Sequence, residues 1–161
     1  MNGRLKLTAN VIVTASLVIA VGAGCASKPK MGSGDPVADR QRVMKAVGAN
    51  WADIQAKAKA GNIEGVAVNA ENLALLSQQI PSLFPQGSLT DKSKAKPDIW
   101  QKWPEFEAAA KNLETQADKL RDAARAKNAQ ATEGIVKDFG RQACGTCHTP
   151  FRQPPPAQPR S

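Results

Sequence analysis

Residues 98–127 read DIWQKWPEFEAAAKNLETQADKLRDAARAK. Within them Ile99, Trp103, Phe106, Ala110, Leu113, Ala117, Leu120 and Ala124 recur at spacings that alternate four and three. Side chains three and four apart share one face of an α-helix, so this stretch predicts a helix with an unbroken apolar seam. Pro104 falls within its first turns, where a missing amide proton does little or kinks the chain locally. The opposite face carries Lys, Glu, Asp and Arg and reads as solvated surface. A two-position seam of this length is the pattern of helices packed nearly parallel or antiparallel to one another.

The same pattern extends in both directions. Asp35 is placed to cap a helix that has Pro36 at its first position. Met44, Val47, Trp51, Ile54 and Ala58 then follow at spacings of three and four, and Gly61 and Asn62 stop the run. A second helix is expected over 63–80, with Ile63, Val66, Ala70, Leu73, Leu76 and Ile80 as its seam and Pro81 and Pro85 behind it. Residues 81–97 form a long loop, which at that length has a packing role. A fourth helix is expected over 129–151, carrying Ile135, Val136, Phe139, Ala143 and Cys147. Strand signals are absent. The composition agrees: of 161 residues only 4% are aromatic, none is Tyr, and alanine is abundant, which favours helix. The length suits one domain. The expected architecture is all-α, an antiparallel up-down-up-down four-helix bundle over residues 37–152.

The N-terminus has the three-part layout of an export signal. Arg4 and Lys6 precede an apolar stretch from 11 to 21, and Gly22, Ala23 and Gly24 lead to Cys25. The apolar run is short for a membrane span. Small residues before a cysteine resemble a bacterial lipoprotein processing site, although Gly22 stands where that family has Leu. Residues 1–24 are thus expected to be a signal peptide and Cys25 a lipidated residue; cleavage after Ala26 would instead give a soluble exported form. Lipidation also accounts for the odd cysteine, otherwise a free thiol in an oxidising compartment. Residues 25–36 read as a flexible tether and residues 153–161 as a Pro-rich tail. Removing the signal would leave 137 residues and lower the formal charge from +8 to +6. With no aromatic–basic interleaving, this balance does not point to nucleic acid; it fits a mildly basic docking face.

Cys144-Gly145-Thr146-Cys147-His148 is the attachment signature of a c-type haem. On a helix, positions 144, 147 and 148 share a face. Two thiols can then add across the haem vinyl groups while the imidazole reaches the iron from the same side. A thioredoxin-like dithiol would need this motif at the start of a helix in a strand-containing fold. A closed zinc site would need a fourth ligand from Cys25, on the distant tether. His148 is the only histidine, so two histidines of one chain cannot ligate the iron. Methionine is the usual alternative. Met1 leaves with the signal and Met31 lies in the tether, which leaves Met44 on the first seam.

The chain resembles a class II cytochrome c, the cytochrome c′ family, over roughly residues 37–152. The resemblance rests on the haem signature at the very C-terminus followed by Phe151-Arg152, and on Arg40-Gln41 with Met44. It rests also on Leu83-Phe84-Pro85 with Gly87 and on Pro97-Asp98-Ile99-Trp100. It implies that Met44 stands over the open face of the haem, either as the sixth ligand or as a packing methionine. It implies that Arg40 and Gln41 bond a haem propionate, for which a guanidinium fork is well suited, and that Arg152 lies on the proximal side; each arginine is otherwise a surface charge. Phe84 either walls the pocket or belongs to the core.

The expected function is one-electron transfer with redox partner proteins, at the periplasmic side of a bacterial membrane, by a chain carrying one haem c as homodimer or monomer. The alternative is a five-coordinate haem that binds nitric oxide or carbon monoxide. No enzyme activity is expected, because no second histidine supplies a distal acid or base.

Overall fold

The computed structural model describes residues 32–154. The export segment, Cys25, the tether up to residue 31 and the tail from residue 155 lie outside the described residues.

Helix α1 spans Pro36–Lys59. The Asp35 carboxylate caps it, accepting hydrogen bonds from the backbone N–H of Val37 at 2.9 Å and of Ala38 at 3.3 Å. The last residues of the expected tether are not free. Ser33 donates its backbone N–H and its hydroxyl to the Asp39 carboxylate at 3.0 Å. That pairing holds the Asp39 carboxyl below the usual carboxylate range. Gly61, at φ 73°, turns the chain, and Asn62 caps α2, Ile63–Gln79, through Gly65 N–H.

The loop that follows opens with a single 3-10 turn, Pro81–Leu83. The long helix expected over 98–127 is broken. A short α3, Asp98–Gln101, is followed by Lys102 at φ −120°, ψ 46°, and then by α4, Trp103–Arg125. Pro104 is the physical reason: it has no N–H to donate to Trp100, so the ladder restarts with proline in the first turn of a new helix. Helix α5 spans Ala129–Phe139. It too is shorter than expected, because the chain widens into a π turn, Gly140–Gly145, before α6, Thr146–Phe151.

Helices α1, α2, α4 and α5 pack in a closed ring, α1 on α2, α2 on α4, α4 on α5 and α5 on α1, which makes an antiparallel four-helix bundle. The expected α4 seam is buried: Phe106, Ala110, Leu113, Ala117, Leu120 and Ala124. Helix α2 buries two rows instead of one, adding Ala67, Ala74 and Ser77 to Val66, Ala70 and Leu73, because it faces both α1 and α4. Asn69, also buried, straps α2 to α1 by donating to Asn50 Oδ1 at 3.0 Å. Trp51 stacks on Phe139 with ring centroids 4.8 Å apart, joining α1 to α5. Among the described residues there is no strand, only an isolated antiparallel bridge between Ala95 and Arg152, and no helix is long and apolar enough to cross a membrane.

Asp35 satisfies two of the orphan N–H groups at the start of α1. Asp35→Ala is expected to cost about 1 kcal/mol, read as a lower denaturant midpoint of the haem-loaded protein at unchanged m.

Candidate haem site

The π turn decides how the cysteine motif is presented. Its hydrogen bonds run from residue i to i+5 and widen the helix. Cys144 lies in this wide turn, while Cys147 and His148 lie in α6. From α4, the Asn112 side-chain amide donates to the Gln142 carbonyl at 2.6 Å and to Thr146 Oγ1 at 3.2 Å, which fixes the turn against the bundle.

Cys144, Cys147 and His148 face a cavity of about 530 Å³ at the end of the bundle where α1 begins, a size typical of cofactor sites. Arg40, Gln41 and Met44 enter it from α1, Phe84 from the loop after α2, and Arg152 from the segment after α6. All eight residues singled out in the sequence therefore line one cavity. Sequence reasoning missed other parts of the wall. Phe106, Ala110 and Leu113 were recognised only as seam positions, and periodicity does not distinguish a seam that meets another helix from one that meets a cofactor. Lys45 stands one turn after Gln41 and could have been found by that spacing. Ser93, Lys94 and Ala95 come from irregular backbone and carried no signal.

The segment after the motif is tied to the same loop. Lys96 N–H donates to the Phe151 carbonyl at 2.9 Å and Gln153 N–H to the Lys94 carbonyl at 2.8 Å, flanking the Ala95–Arg152 bridge. Beneath them Phe106 packs edge-on against Phe84 and Phe151, with centroids at 4.8 and 5.5 Å.

The electrostatics of the three motif side chains differ from those of a redox dithiol. Burial pushes the Cys144 thiol up; burial, and then the neighbouring Cys144, pushes the Cys147 thiol up to about 11. Both are therefore protonated at neutral pH, the opposite of a nucleophilic redox dithiol, whose reactive cysteine is held low. His148 sits in the open mouth of the cavity. Desolvation, and then the positive charge of Arg152, hold its imidazole below the ordinary value, which favours the neutral form that can ligate a metal. The charged side chains around the cavity are Arg40, Lys45, Lys94 and Arg152, with no carboxylate among the lining residues. A flat macrocycle with two carboxylates fits this wall: apolar faces, two uncharged thiols, one neutral imidazole and cations at the rim. Among the described residues no group of three or more His, Cys, Asp or Glu is placed to hold a metal ion.

Arg40 lines the cavity and also bonds the loop after α2. Burial lowers its pKa, opposed by the charge of Asp35, and the guanidinium is engaged by the loop. Nε donates to the Leu83 carbonyl at 2.7 Å, Nη1 to the Ser88 carbonyl at 3.1 Å and Nη2 to Ser88 Oγ.

The cytochrome c′ family profile matches residues 35–152. A cytochrome c-554 of Cereibacter sphaeroides is 38% identical over 88 residues, which cover 52% of this chain and 56% of that protein, so the match spans little more than half the length of that relative. A cytochrome c′ of Pararhodospirillum photometricum is 32% identical over 124 residues, covering 71% of this chain and 93% of the relative. A nitric oxide complex of a cytochrome c prime variant from Alcaligenes xylosoxidans shares the fold, with a TM-score of 0.66 at 22% identity over 75% of this chain and 95% of that one. The family match spans the whole bundle, from the Asp35 cap to Arg152, and ends on the cysteine pair that the cavity presents: this chain is a haem c protein of the cytochrome c′ family.

Proposed function

We propose that this protein is a one-electron carrier, with His148 and Met44 as the axial ligands of its haem iron. The observation that carries the reading is the placement of these two side chains on one cavity, from α6 and α1. Haem c supplies the one-electron change between ferrous and ferric iron; the protein tunes it by ligation, burial and nearby charge. Cys144 and Cys147 keep the ring from leaving an exported chain. Among the described residues that line the cavity none is a carboxylate, and the sequence has no second histidine; both favour reading the protein as a carrier rather than an enzyme. The N-terminal pattern of Arg4, Lys6, the apolar run and Cys25 supports a place at the periplasmic side of a bacterial membrane, with a lipid on Cys25, where redox partner proteins would dock on the basic rim.

A second reading has its own support. Met44 is only half-buried and the cavity is open at its mouth, so the thioether can stand beside the iron without binding it. The relative from Alcaligenes xylosoxidans was solved with nitric oxide bound. On this reading the protein takes up nitric oxide or carbon monoxide.

The ferrous visible spectrum separates the two. A low-spin spectrum unchanged by carbon monoxide, turning high-spin and gas-sensitive in Met44→Ala, is expected for the carrier. A high-spin spectrum that carbon monoxide alters in the unchanged protein would reverse the order. Arg152 offers an independent check on the proximal side. A cation beside His148 favours the reduced iron, so Arg152→Gln is expected to lower the midpoint potential. A partly exposed unit charge is worth about 0.5–1 kcal/mol, or about 20–40 mV for one electron. An unchanged potential in redox titration would remove Arg152 from the proximal side.

A further inference from the structure

His148 is carried by α6, a helix of six residues with Pro150 inside it. Proline donates no N–H, so one of the few ladder bonds of this helix is missing, and a helix this short does not hold its register unaided. The segment is buried on either side of the motif through Ala143 and Phe151. Apolar contact is non-directional: it keeps the segment against the bundle and leaves its rotation to hydrogen bonds. At the far end these come from Lys96, whose N–H donates to the Phe151 carbonyl at 2.9 Å and whose Nζ donates to the Thr149 carbonyl at 3.2 Å.

At the near end the ladder changes from i+5 to i+4 bonding, between Gly145 and Thr146. Such a change passes over one carbonyl, which then needs a donor from elsewhere. The half-buried Asn112 of α4 brings one. Its amide donates to the Gln142 carbonyl at 2.6 Å and to Thr146 Oγ1 at 3.2 Å. A carbonyl only accepts, so the nitrogen of the amide must face the turn. The Thr146 hydroxyl donates in its turn to the Ala143 carbonyl at 3.0 Å. The three motif side chains straddle this junction, Cys144 before it and Cys147 and His148 after it.

We infer that Asn112, acting with Thr146, is a positioning residue for the proximal imidazole: it fixes the rotation of α6 against the π turn, and with it the direction of His148 relative to the Cys144 and Cys147 thiols. The inference rests on His148 as an axial ligand of the iron, which the carrier and the gas-binding readings share. Neither Asn112 nor Thr146 is among the residues that wall the cavity, so their effect reaches the iron through the turn.

The test uses the haem-loaded protein in a Met44→Ala background, so that the ferrous iron carries His148 with its sixth position open. Resonance Raman reads the iron–imidazole stretching band, alongside the denaturant midpoint and the hydrogen exchange of the Cys147 and His148 amides. In Asn112→Ala the band is expected to shift and broaden, and protection of the two amides to fall about five- to tenfold, the weight of one ordinary hydrogen bond. Asn112→Asp is expected to do the same, because its carboxylate has the shape of the amide without its donors; as the milder change it also guards against an alanine variant that fails to fold. Thr146→Val is expected to follow them, and Thr146→Ser, which keeps the hydroxyl, to retain the parent's band. The double variant Asn112→Ala/Thr146→Val is expected to lie close to either single one, since both act at one junction. Asn69→Ala is the control for general loosening. It removes the strap between α2 and α1, away from the cavity, and is expected to lower the denaturant midpoint with the band unmoved. A band unchanged in both Asn112 variants would overturn the inference, because the ring alone would then set the imidazole. So would a band that Asn69→Ala moves as far as Asn112→Ala does. A parent with no iron–imidazole band would instead overturn His148 as the ligand, and this inference with it.

Discussion

The constraint on which the rest of the structure depends is a cavity that the chain's own side chains do not fill. The space of about 530 Å³ is walled mainly by apolar side chains, and covering those walls with a ring removes apolar surface from water. Alanines such as Ala109, Ala110 and Ala143 line it, and their small side chains leave room for a flat ring. The haem is therefore part of the core. Its two thioether anchors lie in consecutive segments, Cys144 in the π turn and Cys147 in α6, so the C-terminal end of the bundle is organised around the ring it holds.

The loop between α2 and α4 completes the enclosure. It is fixed to α1 by Arg40 and to α3 by the Trp100 indole. The backbone pairing of Lys94–Lys96 with Phe151–Gln153 fixes it to the segment after α6. One irregular stretch thus contacts both the Met44 side and the His148 side of the cavity. The rings of Phe84, Phe106 and Phe151 pack in sequence between the two sides.

Much of this was legible in the sequence, and the boundary has physical causes. The alternating three-and-four spacing from Ile99 to Ala124 marks a buried helix face wherever that face meets its partner, so the bundle and its core could be read from it. The Cys144–His148 spacing carries its own chemistry. Two interruptions were not legible. Pro104 was visible, but whether a proline kinks a helix or restarts it depends on where the chain before it must go, and here Ile99 is buried ahead of the break. The π turn at Gly140–Gly145 has no sequence signature of its own. It is supported by Asn112, thirty residues from Gln142 and on another helix. The site showed the same division. Met44 could be located in the sequence because it lies on the first seam, and Arg40 because the resemblance to class II cytochromes c singles it out. The direction of the Arg40 guanidinium could not, because it is decided by carbonyls of Leu83 and Ser88, more than forty residues away in irregular backbone.

Because α1, the loop and α6 all wall the cavity, the most direct test compares backbone hydrogen exchange in the haem-loaded protein with that of the same chain made without c-type maturation. Loss of the ring is predicted to deprotect the start of α1, residues 80–95 and Thr146–Phe151, while the middle of α2 and α4, around Leu73 and Leu120, keeps its protection. Equal protection of all these segments in the two forms would contradict the account, because the cavity end of the bundle would then stand without its haem.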